Sequence, residues 1–234
     1  MTTSATLTLR VLARLLAYPD AELRGHLSAM RDALHSERAV STARLAELDA
    51  LIQRLGSGDG LETEAEYVQL FDRGRATSLH LFEHVHGDSR DRGPAMIDLA
   101  QTYEKAGLYL APGEMPDYLP VVLEFVSTQP PKEARAFLGE IAHILNAIFS
   151  ALVKRESAYA SVIAALLEIA GEKVQAVKVA EDEPLDQSWA EPVVFDGCST
   201  QGQAKPNQPQ PIHIVRNEKA RAATASAARQ GVPS

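Results

Sequence analysis

The stretch KEARAFLGEIAHILNAIFSALVK, from Lys132 to Lys154, decides the fold. Its apolar residues Phe137, Leu138, Ile141, Ile144, Leu145, Ile148, Phe149 and Leu152 recur every three or four positions. That spacing gathers them on one side of a 3.6-residue turn, as a stripe two residues wide. A strand would divide them between two faces. The spacing predicts one long amphipathic helix over 132–154.

The same period continues outward from this segment. Downstream, Ser157 is placed to cap a last helix carrying Val162, Ile163, Leu166 and Leu167. Upstream, Val122, Leu123 and Val126 mark a helix that Pro130-Pro131 ends. Before it, Gly93-Pro94 opens a helix with Met96, Leu99, Ala100 and Tyr103, and Gly107 closes it in left-handed geometry. Pro112-Gly113 is a turn. Nearer the start, Val11, Leu12, Leu15 and Leu16 share a face, and Pro19 stops them. Asp20 caps a helix with Leu23, Leu27, Met30 and Leu34, and Ser41 caps one with Leu45, Leu48, Ile52 and Leu55. Gly56 to Gly60 reads as a loop, after which a helix carries Tyr67, Leu70 and Phe71. Residues 79–86 fit an alternating strand or a helix, and helix is the preferred reading. The expected fold class is all-α, a single bundle of about seven or eight helices around one core.

The chain has 234 residues, enough to bury roughly 70% of its unfolded surface without staples. Hydrophobic residues are 45% and charged residues 23%, a globular balance. Residues 1–180 are expected to form the helical domain. Residues 181–234 hold six of the thirteen prolines and are otherwise rich in Gln, Ser and Ala, so a largely disordered tail is expected there. Apolar islands in it, Trp189, Val193, Val194, Phe195, Ile212 and Ile214, either dock or stay unstructured.

The net charge of −8 disfavours nucleic acid and favours a basic partner. No apolar run approaches the ~20 residues of a bilayer span, so a chain not integral to the membrane is expected. Met1 to Arg10 lacks a basic region before an apolar one, so no secretory leader is expected and a cytoplasmic location is the default. The lone Cys198 excludes an internal disulfide, and no histidine or basic residue beside it activates it. Gly56-Ser57-Gly58-Asp59-Gly60 lacks the Lys-Ser/Thr of a phosphate loop.

Two segments carry candidate chemistry. His80-Leu81-Phe82-Glu83-His84 spells H-x-x-E-H, in which two helical histidines would hold zinc and Glu83 would activate water. It requires a third ligand, for which Glu156 and Glu168 lie at suitable distances; otherwise these histidines line a polar groove or cap a helix. From His84 to Phe125, Asp88, Asp91, Asp98, Glu104, Glu114, Asp117 and Glu124 outnumber Arg90, Arg92 and Lys105. Tyr103 and Tyr118 sit among them. This is either a solvated surface or an acidic, aromatic-edged groove suited to a basic amphipathic helix.

Five strings in this region resemble one known family. They are Glu66-Tyr67-Val68-Gln69-Leu70-Phe71; Phe82-Glu83-His84-Val85-His86-Gly87; Arg90-Asp91-Arg92-Gly93-Pro94-Ala95-Met96; Pro116-Asp117-Tyr118-Leu119-Pro120; and Leu123-Glu124-Phe125. Together with the pattern of residues 7–170 they resemble the nitrate reductase delta-subunit chaperones of the NarJ type, within the redox-enzyme maturation chaperones similar to TorD and DmsD. Trp189-Ala190-Glu191-Pro192-Val193-Val194-Phe195 resembles the family's C-terminal extension.

The resemblance implies a chaperone, not an enzyme, with no cofactor or metal of its own. The implied client is the apo catalytic α subunit of nitrate reductase, met in the cytoplasm through an N-terminal segment like a twin-arginine leader. The chaperone holds it ready for molybdopterin cofactor insertion and membrane assembly. Molybdenum cofactor biosynthesis proteins are further implied partners. A sulfoxide or N-oxide reductase is the alternative client, and a zinc hydrolase the remote alternative. For helix-in-groove capture, the candidate pocket is Tyr67, Phe71, Phe82, His86, Tyr103 and Tyr118, and the candidate rim is Glu83, Asp98, Asp117 and Glu124. Arg90 and Arg92 are expected to pair with Asp88 or Asp91, and His84 and His86 to titrate with client release.

Overall fold

In a computed structural model of the chain, the described residues are 4–86, 89–175 and 177. They form eleven α-helices: α1 Thr6–Leu15, α2 Ala21–Gly25, α3 Leu27–Glu37, α4 Thr42–Ser57, α5 Gly60–Tyr67, α6 Leu81–Val85, α7 Arg92–Lys105, α8 Leu119–Thr128, α9 Pro131–Glu140, α10 Ala142–Lys154 and α11 Ala160–Ala170. A π-helical turn, Val68–Asp72, and a 3-10 turn, Arg75–Thr77, join α5 to α6. There is no named strand among the described residues, only an isolated antiparallel bridge between His80 and Tyr118. The all-α expectation holds. The tail expected after residue 180, with its apolar islands, lies outside the described residues.

The core is organised around α11. Its sequence ASVIAALLEIA has one charge, and Val162, Ile163, Ala165, Leu166 and Leu167 are wholly excluded from solvent. A helix apolar on all sides has to be enclosed, and α1, α4, α9 and α10 pack around it. Helix α1 lies along α8, joining Leu9, Leu12 and Leu16 to a core that includes Leu119, Val122, Leu123 and Val126. Each fully buried Leu stabilises the fold by about 1.5–3 kcal/mol relative to exposure.

The helix count exceeds the expected seven or eight chiefly because two expected helices divide. The 132–154 stripe breaks at Ile141, where α9 and α10 meet at 64°. Gly139 lies two residues before the break, and the bend lets both halves pack on α11. The run from Leu23 to Leu34 divides at His26, whose N–H turns back to the Leu23 carbonyl at 2.9 Å. The expected loop at 56–60 is shorter: α4 runs through Ser57, and Asp59 caps α5 by accepting the Leu61 N–H at 2.9 Å. Pro94 is the third residue of α7, not its first. Ser157 accepts the Tyr159 N–H at 3.3 Å, just ahead of α11.

Several local signals act as read. Asp20 Oδ1 accepts the Leu23 N–H at 2.8 Å, and Ser41 Oγ accepts the Arg44 N–H at 3.4 Å. Gly107 closes α7 at φ +79°. Residues 79–86 use both geometries open to them. Leu119 donates to the Leu79 carbonyl at 2.8 Å and Leu81 to the Asp117 carbonyl at 3.0 Å, after which α6 begins. No single helix among the described residues is long and apolar enough to cross a membrane.

Candidate functional site

A groove runs over the surface where α1, the π turn, the His80 bridge and the start of α8 meet. Its central compartment is about 550 Å³. Phe71 and Tyr67 form its floor, Tyr118, Met115 and Tyr18 its walls, and Glu124 one edge. Through Phe71, Asp72 and His80 it adjoins a compartment of about 430 Å³ that contains Arg73, Arg75 and Arg92. At the other end, Arg14, Glu114, Val121 and Glu124 are shared with a compartment of about 410 Å³ beside Tyr109 and Leu110. A separate cavity of about 620 Å³, between α4, α5 and the α10–α11 turn, holds none of the residues expected for the peptide groove.

The π turn shapes the floor. Arg73 N–H reaches the Val68 carbonyl at 3.2 Å, one residue beyond the α-helical pattern. The Leu70 carbonyl receives the Thr77 hydroxyl and Arg155. Gly74 is required beside it, because a Cβ there would clash with Thr77 Oγ1 and lie 2.7 Å from the Leu70 oxygen. Phe71 is set 4.8 Å from Tyr67 and 5.0 Å from Tyr159, ring centre to ring centre. Tyr67 donates its hydroxyl to the Leu16 carbonyl at 2.8 Å, tying the floor to the end of α1. Burial pushes the hydroxyls of Tyr67 and Tyr118 above the usual tyrosine range, so both stay protonated near neutrality.

Asp117 anchors the far wall. It is fully buried, so it is not a rim residue. Its Oδ2 accepts the Phe82 N–H at 3.2 Å, His80 Nδ1 lies 3.3 Å from Oδ1, and Arg92 is 3.8 Å from Oδ2. Arg92 also meets Glu83 at 3.5 Å. These replace the partners expected for Arg92: Asp88 lies outside the described residues, and Asp91 accepts the Ser89 hydroxyl. The hydrogen bond that the protonated ring donates to Asp117 raises the His80 pKa above the usual histidine value, and burial only partly opposes this. His80, stacked 5.3 Å from Tyr118, is the histidine that lines the groove.

Of the residues expected in the site, the central compartment brings together Tyr67, Phe71, Tyr118 and Glu124. Glu83 lies in the compartment with Arg92. Tyr103 is buried, donates to the Pro116 carbonyl at 2.8 Å, and backs the third compartment. Phe82 and His86 pack on each other 5.5 Å apart and line none of the three. Asp98 is exposed on α7, also outside them. Sequence reasoning missed Arg14, Tyr18, Asp72 and Met115. An aromatic at the end of the α1 stripe and a Met in a Gly-Glu-Met-Pro loop were the available signals.

The H-x-x-E-H string does not assemble. His80 precedes α6 and faces Asp117, whereas His84 Nε2 bonds the Ser78 carbonyl at 2.8 Å. Glu168 accepts the backbone N–H and hydroxyl of Ser41, and Glu156 sits in the α10–α11 turn at φ +53°. Among the described residues, no three His, Cys, Asp or Glu side chains are placed to hold a metal ion.

The sequence profile of the family described as nitrate reductase delta subunit matches residues 20–165. The chain belongs to that family. The nitrate reductase molybdenum cofactor assembly chaperone NarJ of Escherichia coli K12 is 43% identical over 191 residues, covering 77% of this chain and 81% of its own. The probable chaperone NarW of the same organism is 38% identical over 193 residues, covering 78% and 80%. The probable chaperone NarJ of Bacillus subtilis is 31% identical over 182 residues, covering 71% and 89%. A candidate redox enzyme maturation protein from Archaeoglobus fulgidus shares the fold, with a TM-score of 0.50 at 21% identity over 71% of this chain and 94% of that one.

Proposed function

We propose that this chain is an assembly chaperone for respiratory nitrate reductase. It takes the N-terminal segment of the apo catalytic subunit into the groove and keeps that subunit competent for molybdenum cofactor insertion and membrane assembly. The observation that carries the chaperone role is family membership, with relatives named for this task at up to 43% identity. The groove supports the mode of capture. Its aromatic floor offers apolar burial, and Asp72, Glu114 and Glu124 offer charge to a basic segment.

An amphipathic helix laid along the groove buries its apolar side chains over Phe71, Tyr118 and Met115. Its cations meet the carboxylates at the edge. Exposed ion pairs contribute about 0–1 kcal/mol each, so apolar burial supplies most of the affinity and the charges supply orientation and encounter rate. The complex forms in the cytoplasm, before the client reaches the membrane, and involves no bond-making by the chaperone.

Co-purification from nitrate-grown cells, followed by calorimetric titration with the client's N-terminal peptide, tests this reading. The expected result is a 1:1 complex with the nitrate reductase catalytic subunit. Recovery of a sulfoxide or N-oxide reductase instead would reassign the client. Absence of any peptide binding would remove the mode of capture.

A further inference from the structure

Two tyrosine hydroxyls meet beside the central compartment, and the direction of their hydrogen bonds is fixed. Tyr67 Oη lies 2.8 Å from the Leu16 carbonyl, which can only accept, so the single Tyr67 proton points there. Tyr118 Oη is 3.1 Å from Tyr67 Oη. With the Tyr67 proton committed, the proton in that second contact belongs to Tyr118. The Tyr118 hydroxyl therefore has no donor left for anything in the groove, only a lone pair, and Tyr118 lines the groove.

Tyr18 repeats the arrangement on the same compartment. Its hydroxyl donates to Glu64 Oε2 at 3.0 Å, so it too offers only acceptor capacity elsewhere. Asp72, Glu114 and Glu124 line the compartment as well, against one permanent cation, Arg14, and the titratable His80. A carbonyl or carboxylate brought to Tyr118 would meet a lone pair and lose its water without compensation. A side chain rich in N–H groups would find an acceptor at the aromatic wall and carboxylates at the edge.

We infer that Tyr118 is a specificity-determining residue of the groove, its hydroxyl accepting a hydrogen bond from an arginine or lysine side chain of the bound segment. The inference rests on the reading that this groove holds the client's N-terminal segment. It adds which atom reads that segment, and for what. Charge alone would be read by any carboxylate on the rim; the Tyr118 lone pair reads the presence of a donor.

Calorimetry on the full chain with synthetic peptides of the client's N-terminal segment tests it. Each basic residue in turn is kept, replaced by citrulline, which keeps N–H donors without charge, or replaced by norleucine, which keeps only the stem. Tyr118→Phe retains the ring and the Tyr67–Leu16 bond, and unchanged thermal melting checks that the fold survives. Tyr118→Phe is expected to weaken the native peptide about tenfold. At one peptide position, norleucine is expected to abolish the difference between wild type and Tyr118→Phe, while citrulline preserves it. Equal binding of the native peptide by wild type and Tyr118→Phe overturns the inference and leaves the groove reading standing. A loss that persists undiminished with every norleucine peptide also overturns it, since that marks a displaced ring. No binding by wild type overturns both.

Discussion

Around α11 the molecule is held by hydrocarbon; around Asp117 it is held by a buried carboxylate and the polar groups that reach in to it. Leu166, Leu167 and Ile163 are wholly excluded from solvent on a helix with a single charge. Asp117 is equally excluded, yet it serves the Phe82 N–H, His80 and Arg92 together. Apolar packing is tolerant of exchange and fixes shape broadly. A buried carboxylate binds particular partners at particular distances, and losing any one leaves an uncompensated group. The difference teaches that the framework rests on buried apolar area and the groove wall on a few named polar contacts. Variants should therefore separate loss of fold from loss of binding.

The largest effect is expected in the framework. Leu166→Ala removes fully buried hydrocarbon and is expected to cost about 2–5 kcal/mol of stability. Denaturant unfolding measures that loss, and peptide affinity of the folded fraction should stay at the wild-type value. Asp117→Ala is expected to cost somewhat less, about 2–3 kcal/mol. Its signature differs, however: amide exchange should accelerate at Leu81 and Phe82, and peptide affinity should fall with it. If Asp117→Ala left binding intact, the polar wall would not be shaping the groove.

Two smaller effects sharpen the contrast. Glu124→Gln at the exposed edge is expected to weaken a basic peptide by less than about fivefold, with the difference fading as salt is raised. The pH response belongs to His80. Its raised pKa means the protonated form is favoured in the folded state, so this contribution to stability is fully present below the ordinary histidine pKa. It is lost as pH rises through the raised folded value. Melting temperature should fall over that window in wild type and fall less in His80→Gln. The histidines expected from sequence to respond, His84 and His86, lie on the Ser78 carbonyl and on Phe82, away from the groove lining.

What was legible in the sequence follows the same division. The caps Asp20 and Ser41, the closing Gly107, and the stripes of α1, α4 and α11 depend on neighbours a few residues away, and they read directly. The break at Ile141 did not, because the apolar stripe runs through it without a change of phase. The bend answers to packing on α11, which no local pattern encodes. The site was legible as a set of residue types and only in part as an arrangement. Tyr67, Phe71, Tyr118 and Glu124 converge, joined from 49 or more positions away by Arg14 and Tyr18 on the other side of the groove. Asp117 read as an acidic rim residue because a charge is usually exposed. Its burial depends on His80 and Arg92 arriving from two other elements. Asp98 fits the rim by composition, but α7 holds it elsewhere.

The central claim is that the groove between α1, the π turn and the start of α8 receives the client's N-terminal segment. Photocrosslinking tests it most directly, with a benzophenone carried on the apolar face of that peptide and the adducts mapped on the full chain. Adducts at Tyr18, Met115, Tyr118 and Val121, displaced by unlabelled peptide, are the predicted result. Adducts concentrated instead at Leu55, Gln69 and Ala158, which line the separate 620 Å³ cavity, would contradict it.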